Sequence, residues 1–169
     1  RIRNKELRKI FPNSQFVIRD SSSMIPVSLT RIKTSDGITL DGIVVPPRKK
    51  KGIALIWLHG LASRFSSGQD LIRALSGLAQ KNGVAYFKFN TRGHEFVSRG
   101  TKKKLIGGAF EKFEECVRDI DAMIRFAQKL GYKKIILAGH STGANKTLYY
   151  MYKRKNPSVK GIILAGAIS

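Results

Sequence analysis

Short apolar runs alternate with longer amphipathic stretches along most of this chain. The short runs are almost continuously apolar, which is expected of strands covered on both faces of a sheet; they lie at 52–58, 84–89, 134–138 and 161–167. The amphipathic stretches between them have helical periodicity; they lie at about 68–81, 110–130 and 143–155. Strands separated by helices predict right-handed βαβ units, and hence a three-layer αβα fold with a mostly parallel, twisted sheet.

Each of the first two helical stretches has a predicted buried face. In the first stretch this face comprises Leu71, Leu75, Leu78 and Ala79. In the second it comprises Phe110, Phe113, Val117, Ile120, Ile124 and Ala127. The acidic residues Glu111, Glu115, Asp119 and Asp121 fall mostly off this second stripe, and Gly131 is a typical helix end.

The N-terminal part differs from the rest in its local pattern. Strand-like segments at 27–33 and 38–45 flank the turn signal Asp36-Gly37, which predicts an antiparallel hairpin. Residues 1–24 are basic and are interpreted as an N-terminal arm or part of an upstream element. No linker divides the remainder, so residues 25–169 are predicted to form one core domain.

Net charge is the unusual feature of the composition. The chain has 32 Lys and Arg against 11 Asp and Glu, a net charge of +21, which can attract nucleic acid or anionic membranes. Basic clusters lie at 48–51, 102–104 and 153–155. No aromatic residues interleave with them as a single-strand-binding surface requires, so nucleic acid is kept only as an alternative partner.

Cysteine usage and hydropathy bear on location. The single cysteine, Cys116, excludes an internal disulfide and is expected to be a buried structural thiol beside Phe113, Val117 and Ile120. No apolar run approaches the ~20 residues of a membrane span, and no apolar core of a signal peptide is present. These features favour a cytoplasmic protein.

The segment Gly139-His140-Ser141-Thr142-Gly143 lies between a predicted buried strand and a predicted helix. A serine hydroxyl is a weak nucleophile, so it must stand clear at a strand end where a base can reach it. Gly139 and Gly143 are the residue types that a tight turn of this kind requires, because the adjoining backbones nearly touch. The context therefore predicts a nucleophile at Ser141. An ordinary Gly-flanked serine in a strand–helix loop is the alternative.

Two further segments follow strand ends. His59-Gly60-Leu61 follows the third strand, and an acyl-transfer site needs two backbone N–H donors for the oxyanion. Thr142, after the nucleophile, and Leu61 are the candidate donors. The segment Asn90-Thr91-Arg92-Gly93-His94 follows the fourth strand.

Taken together, these motifs resemble the α/β-hydrolase superfamily, and within it the esterase and serine-aminopeptidase-like branch. The resemblance rests on His59-Gly60, Thr91-Arg92-Gly93-His94 and the segment around Ser141, and it runs from about residue 27 to residue 169. It implies hydrolysis of a carboxylic ester, thioester or amide of a small molecule through an acyl-enzyme. One departure is Asn90, where that branch usually has Asp; we expect Asn90 to cap the loop through hydrogen bonds.

The resemblance also implies an acid and a histidine after the nucleophile, but no Asp, Glu or His follows Ser141. His59 and His94 are expected to brace loops, and His140 is expected to point away from the site into the supporting layer. The simplest interpretation is truncation before the acid and the histidine, so that the chain alone would turn over poorly. The alternatives are a non-catalytic binding protein with this fold and a basic nucleic-acid-binding surface.

Other chemistries find little support. A phosphate loop ending at Lys146-Thr147 would need a second glycine where Asn145 stands. No metal-ligand cluster or nicotinamide fingerprint is evident, so no cofactor or metal is expected. The substrate and the oligomeric state cannot be read from the chain.

Overall fold

A computed structural model describes residues 15–19, 24–100 and 104–167 of the chain. The strands are β1 Gln15–Arg19, β2 Met24–Lys33, β3 Thr39–Val45, β4 Ile53–Leu58, β5 Val84–Phe89, β6 Ser98–Arg99, β7 Leu105–Ile106, β8 Lys134–His140 and β9 Val159–Ala165. The helices are α1 Gln69–Lys81, α2 Cys116–Lys129 and α3 Thr142–Arg154, with a 3-10 turn at Phe113–Glu115 before α2.

Seven strands form one mixed sheet in the order β1-β2-β3-β5-β4-β8-β9. The segment β5-β4-β8-β9 is parallel, and β3, β2 and β1 extend it antiparallel at one edge. The predicted hairpin is confirmed, because Lys33 pairs with Thr39 across a turn in which Gly37 has φ +86. β1 comes from the predicted N-terminal arm, whose residues 1–14 lie outside the described part; the boundary at residue 24 stays a prediction.

Helices cover both faces of the sheet, which confirms the three-layer prediction. Alternate residues of a strand point to opposite faces, so β4 contributes to two cores. Ile56 and Leu58 pack with α2 and α3, whereas Leu55 and Trp57 pack with α1. The buried thiol of Cys116 belongs to the first core, as predicted, and burial raises its pKa to about 12.

The predicted buried face of α1 is confirmed for Ala79 and for Leu75, which packs against the core, but it is wrong for Leu71 and Leu78. The helix buries Ile72, Ser76, Ala79 and Gln80, while Leu71 and Leu78 are 44% and 62% exposed. Periodicity alone favours the leucine side. In the folded chain, however, the side of α1 that carries Ile72 and Ala79 faces the sheet. On the same side, Gln80 Nε2 donates a hydrogen bond to the carbonyl oxygen of Pro46, 3.1 Å away.

The second helix begins later than its apolar stripe predicts. Residues 108–110 form a turn and 111–112 are irregular, the first regular α-helical residue is Cys116, and the side chains of Phe110 and Phe113 are exposed. The last part of the predicted stripe, Ile120, Ile124 and Ala127, is buried as expected. The early part lies outside the helix, and Glu111 in this segment forms a buried ion pair, described below.

β9 forms the free edge of the described sheet beside β8. Its residues Ile162, Ile163 and Leu164 are 40%, 49% and 40% exposed, respectively. An apolar strand with an unpaired edge is prone to association with other strands. Within the described residues this edge is uncovered.

Gly42 on β3 provides a test of this sheet. A Cβ at Gly42 would collide with the ring of Phe89 and lie 2.7 Å from the carbonyl oxygen of Lys88. We expect Gly42→Ala to lower the free energy of unfolding by about 1–3 kcal/mol, because overpacking forces the strands apart. Urea unfolding measures this, with Gly161→Ala on β9 as the control, since nothing lies within 4 Å of a Cβ there. Equal effects of the two substitutions would contradict the packing of β3 on β5.

Candidate active site

Ser141 occupies a sharp junction between β8 and α3. Its backbone has φ 54 and ψ −130, a left-handed φ that a non-glycine residue adopts at a cost of roughly 1–3 kcal/mol. The backbone around it is held on both sides: the Ser141 N–H donates to the Ala165 carbonyl, 2.9 Å away, and the Ser141 carbonyl accepts from the Ala144 N–H at 2.8 Å. Strain that the surroundings enforce in this way is typical of functional positions.

The two glycines of the segment lie where other backbone segments leave no space. A Cβ at Gly139 would collide with the carbonyl of Gly143 and lie 2.6 Å from the nitrogen of Ala144. A Cβ at Gly143 would collide with the carbonyl of Leu58 and lie 2.7 Å from that of His59. The first turn of α3 therefore packs directly on the backbone at the end of β4.

The loop after β4 runs beside the nucleophile candidate. A Cβ at Gly60 would lie 3.2 Å from the Cβ and 3.6 Å from the Oγ of Ser141. Leu61, the predicted donor, follows Gly60 directly, and its side chain is 55% exposed. Thr142 is the first residue of α3, where backbone N–H groups have no partner inside the helix. The positive end of the helix dipole also lies here, so the site favours negative charge.

His59 links this loop to the loop after β5. The Thr91 N–H donates to Nε2 of His59 at 2.9 Å, so the proton of the neutral ring lies on Nδ1, which donates to the Gly60 carbonyl at 2.8 Å. Burial lowers the pKa of His59 to about 3. With both ring nitrogens occupied and the ring 2% exposed, His59 braces the loop, as expected.

A buried ion pair lies under the same loops. Lys146 of α3 is 1% exposed, and its Nζ lies 2.6 Å from Oε1 of Glu111 and 3.4 Å from the hydroxyl of Thr91. A Cβ at Gly93 would collide with the Glu111 carboxylate, so the glycine makes room for the pair. This pair was not predicted from the sequence, in which Lys146 was considered only as part of a phosphate loop. Because Nζ of Lys146 is paired, it is not presented to a phosphate.

Arg92 is the centre of a second buried charge cluster. Its guanidinium hydrogen-bonds with Asp119, Asp36 and Glu115, at distances of 2.6–3.2 Å, and its N–H donates to Asp119 at 2.7 Å. Asp119 is 0% exposed, so its predicted place off the buried stripe is wrong. Its partner Arg92 lies 27 residues earlier in the chain, and helical periodicity carries no information about such a contact.

Asn90 has the capping role expected of it. Its Oδ1 accepts a hydrogen bond from the Phe65 N–H at 2.8 Å, and its own N–H donates to the Asp41 carbonyl at 2.8 Å. The amide therefore ties the loop after β4 to the end of β5 without adding a negative charge beside the site.

The structure brings Ser141 together with Gly60 and with the start of α3, but it does not bring a histidine to the nucleophile candidate. His94 is half-buried; its Nδ1 lies 2.9 Å from the Thr91 carbonyl and its Nε2 lies 3.1 Å from the Ser98 hydroxyl. His140 is exposed and lies 4.0 Å from the position of a Cβ on Gly166, so the expectation of burial in a supporting layer is wrong for the described residues. Among those residues, no histidine hydrogen-bonds with Oγ of Ser141.

Neither a metal site nor a membrane-spanning helix is found among the described residues. No group of three His, Cys, Asp or Glu side chains is placed to hold a metal ion. No helix in the described ranges has both the length and the hydrophobicity that a membrane span needs.

Comparisons with known proteins agree with the geometry. The model of the family described as "Serine aminopeptidase, S33" matches residues 49–169. No curated protein matches the chain by sequence.

Solved structures show the α/β-hydrolase fold. An esterase of Pyrococcus furiosus superposes with a TM-score of 0.60 at 21% identity, over 78% of this chain and 48% of its own. The α/β-hydrolase GrgF of Penicillium sp. sh18 has a TM-score of 0.67 at 21% identity, over 85% of this chain and 46% of its own. An esterase of Exiguobacterium antarcticum has a TM-score of 0.60 at 21% identity, over 82% and 45%. The chain thus spans about half the length of these proteins.

The Arg92 cluster predicts a large effect on stability. Arg92→Met leaves the fully buried carboxylate of Asp119 without its cation, which costs about 3–5 kcal/mol of unfolding free energy. Arg31→Met is the control, because Arg31 pairs with Asp41 at the surface, where its side chain is 70% exposed, and should change stability little. Urea unfolding compares the two variants. A loss in Arg92→Met no greater than in the control would contradict a cluster that supports the loop after β5.

The buried state of His59 predicts a pH dependence of stability. The unfolded chain takes up a proton on His59 near its usual pKa of 6.5, whereas the folded protein resists it until about pH 3. The free energy of unfolding should therefore decrease as the pH falls from 6.5, by about 1.4 kcal/mol per pH unit from this group. Urea unfolding at a series of pH values should show a shallower slope for His59→Gln than for wild type. Identical slopes for wild type and His59→Gln would refute the assignment of a buried, neutral His59.

Proposed function

The chain belongs to the serine aminopeptidase S33 family of hydrolases, and from that premise we propose that Ser141 is the nucleophile of a serine hydrolase acting on a carboxylic ester. The observation that carries the proposal is the left-handed φ of 54 at Ser141, held at a strand–helix junction with the backbone of Gly60 beside its hydroxyl. A strained serine in this position presents Oγ beyond the carboxyl end of the sheet, where a bound acyl group can reach it.

In the proposed mechanism Oγ of Ser141 attacks the acyl carbon, and its proton passes to a base. The N–H groups of Thr142 and Leu61 stabilise the negative charge that develops on the carbonyl oxygen, helped by the dipole of α3. The leaving alcohol takes up the proton from the base, and water then attacks the acyl-enzyme to release the acid. A thioester or amide would follow the same steps with a different leaving group.

The base is proposed to be a histidine other than the three in this sequence. His59 is held neutral between Thr91 and Gly60, and His94 is held between Thr91 and Ser98. His140 is exposed beside Gly166. The chain spans about half the length of its structural neighbours, so we propose that the histidine and its acid lie outside these residues, and that this chain alone has little activity.

The ester is favoured as substrate because two of the structural neighbours are esterases by name. The family description, by contrast, names an aminopeptidase. The geometry of Ser141 serves both reactions, since they share the attack on a carbonyl carbon and the oxyanion.

Labelling with a fluorophosphonate probe tests the nucleophile. In the full-length protein we expect Ser141 to be labelled, because the probe forms a bond with an activated serine hydroxyl, and we expect Ser141→Ala to abolish labelling. Ser35→Ala, an exposed serine in the β2–β3 turn, is the matched control and should label as wild type. Undiminished labelling of Ser141→Ala would exclude Ser141 as the nucleophile, and failure of the wild-type protein to label would favour a non-catalytic member of the fold.

A further inference from the structure

Most of the exposed basic runs of the described chain converge on one edge of the molecule. In a parallel sheet with helical crossovers, the amino ends of the strands and the C-terminal ends of the helices share one edge. Three runs lie at this edge: residues 48–51 before β4, residues 133–134 at the start of β8, and residues 153–155 at the end of α3. We call these three runs the basic face. Ser141 lies at the opposite edge, where β8 ends.

Hydrogen bonds bring the first two runs together and bring the chain just after the third run beside them. The N–H groups of Lys133 and Lys134 both donate to the Gly52 carbonyl, at 2.9 and 3.1 Å, and Nζ of Lys50 donates to the Leu130 carbonyl at 2.7 Å. On the other side, the Ile135 N–H donates to the Ser158 carbonyl at 2.9 Å. The chain therefore lies beside β8 three residues after the 153–155 run ends. All nine side chains of the face are exposed. Lys81, Lys129 and Lys160, also exposed, lie at the same ends of α1, α2 and β9.

Acidic side chains do not neutralise this face. Among the described residues the acid that contacts this face is Asp121, whose carboxylate lies 3.1 Å from Nε of Arg154 and accepts a hydrogen bond from the hydroxyl of Tyr150 at 2.8 Å. The other described acids cluster toward the opposite edge, where Asp119 and Glu115 hold Arg92 and Glu111 holds Lys146. Among the described residues, the basic face together with Lys81, Lys129 and Lys160 therefore gives this edge of the molecule a strong positive charge.

We propose that the basic face docks the protein on an anionic phospholipid bilayer. The face is built mainly from lysines on the ends of several elements, which suits a broad surface of phosphate charge rather than the bidentate recognition that arginine provides. Two exposed side chains with apolar surface lie at its rim. Tyr152 is 72% exposed, and the centre of its ring lies 5.1 Å from Nζ of Lys153. Leu78 is 62% exposed. Tyrosines beside lysines are typical of the membrane interface.

A bilayer fits these groups better than nucleic acid does. Single strands need several aromatic side chains on which bases stack, and Tyr152 is the only tyrosine, phenylalanine or tryptophan more than half exposed in the described helix ends and strand starts of this edge. Leu78 has no role against a phosphate backbone, whereas it can enter the headgroup region. The strands of the parallel sheet are six or seven residues long, which separates Ser141 from the lipid by about 20 Å. The active site would then face the solution.

Vesicle sedimentation with matched variants tests the proposal. Lys49, Lys51, Lys133 and Lys134 are changed together to Gln; Lys50 is kept because it caps the Leu130 carbonyl. The control changes Lys33, Arg99, Lys104 and Lys112 to Gln, which removes the same charge from exposed positions elsewhere. We expect the full-length protein to bind phosphatidylcholine–phosphatidylglycerol vesicles but not phosphatidylcholine alone. Affinity should fall with salt, and should fall about tenfold or more in the basic-face variant but much less in the control.

Several results would overturn the proposal. The first is that the protein does not bind the anionic vesicles at low salt. The second is that the two quadruple variants lose equal vesicle affinity, which would show that net charge alone attracts the protein. Tighter binding to duplex or single-stranded nucleic acid than to the vesicles, at the same salt, would assign the face to nucleic acid instead.

A fluorescence reporter tests the orientation. Tyr152→Trp places the reporter at the rim of the basic face, and Phe96→Trp, at a side chain 73% exposed after β5, places it near the opposite edge. With anionic vesicles we expect a blue shift of emission for Tyr152→Trp only. A shift for Phe96→Trp alone would reverse the orientation and refute docking through the basic face. Neither test depends on the activity of Ser141.

Discussion

Three stretches of backbone meet beside Ser141 without side chains between them, and the geometry of the site depends on this contact. The end of β8 passes over the first turn of α3 at Gly139, α3 lies on the end of β4 at Gly143, and the loop after β4 passes the hydroxyl at Gly60. Each approach is closed to any residue with a Cβ or leaves little room for one. The strained φ of Ser141 persists because these contacts, together with the sheet hydrogen bonds of β8, leave the chain no alternative path.

Buried charges support the loops that surround this contact. His59 is held as a neutral ring between two backbone groups. Lys146 and Glu111 neutralise each other under the loop after β5, and Arg92 is surrounded by three carboxylates. A buried ion pair contributes little net stability compared with an apolar pair, but it allows few alternative arrangements when each partner is needed by the other. The effect is to hold the two loops that flank Ser141 in one position relative to the sheet.

The same distribution of charge divides the molecule into two ends. Carboxylates are concentrated at the site end, where they hold Arg92 and Lys146 in the interior. Lysines remain at the other end without acidic partners among the described residues, apart from the contact of Asp121 with Arg154. The proposed nucleophile and the basic face can therefore lie at opposite edges of one sheet. In the βαβ topology the length of a strand separates the edge with the strand ends from the edge with the strand starts.

The sequence alone predicted the order of the elements, the parallel core, the hairpin and the strand–turn–helix around Ser141, because these depend on local periodicity and on glycines at fixed spacing. It also predicted the cap at Asn90 and the burial of Cys116. Only the tertiary structure decided which side of α1 faces the sheet, where α2 begins, and that Asp119 is buried. Each of these involves a contact with a partner distant in sequence: Pro46 for Gln80, Lys146 for Glu111, and Arg92 for Asp119. From the pattern of its own helix, a polar side chain is predicted to be exposed. It is buried in the fold when a group of opposite charge or a carbonyl oxygen from a distant segment pairs with it.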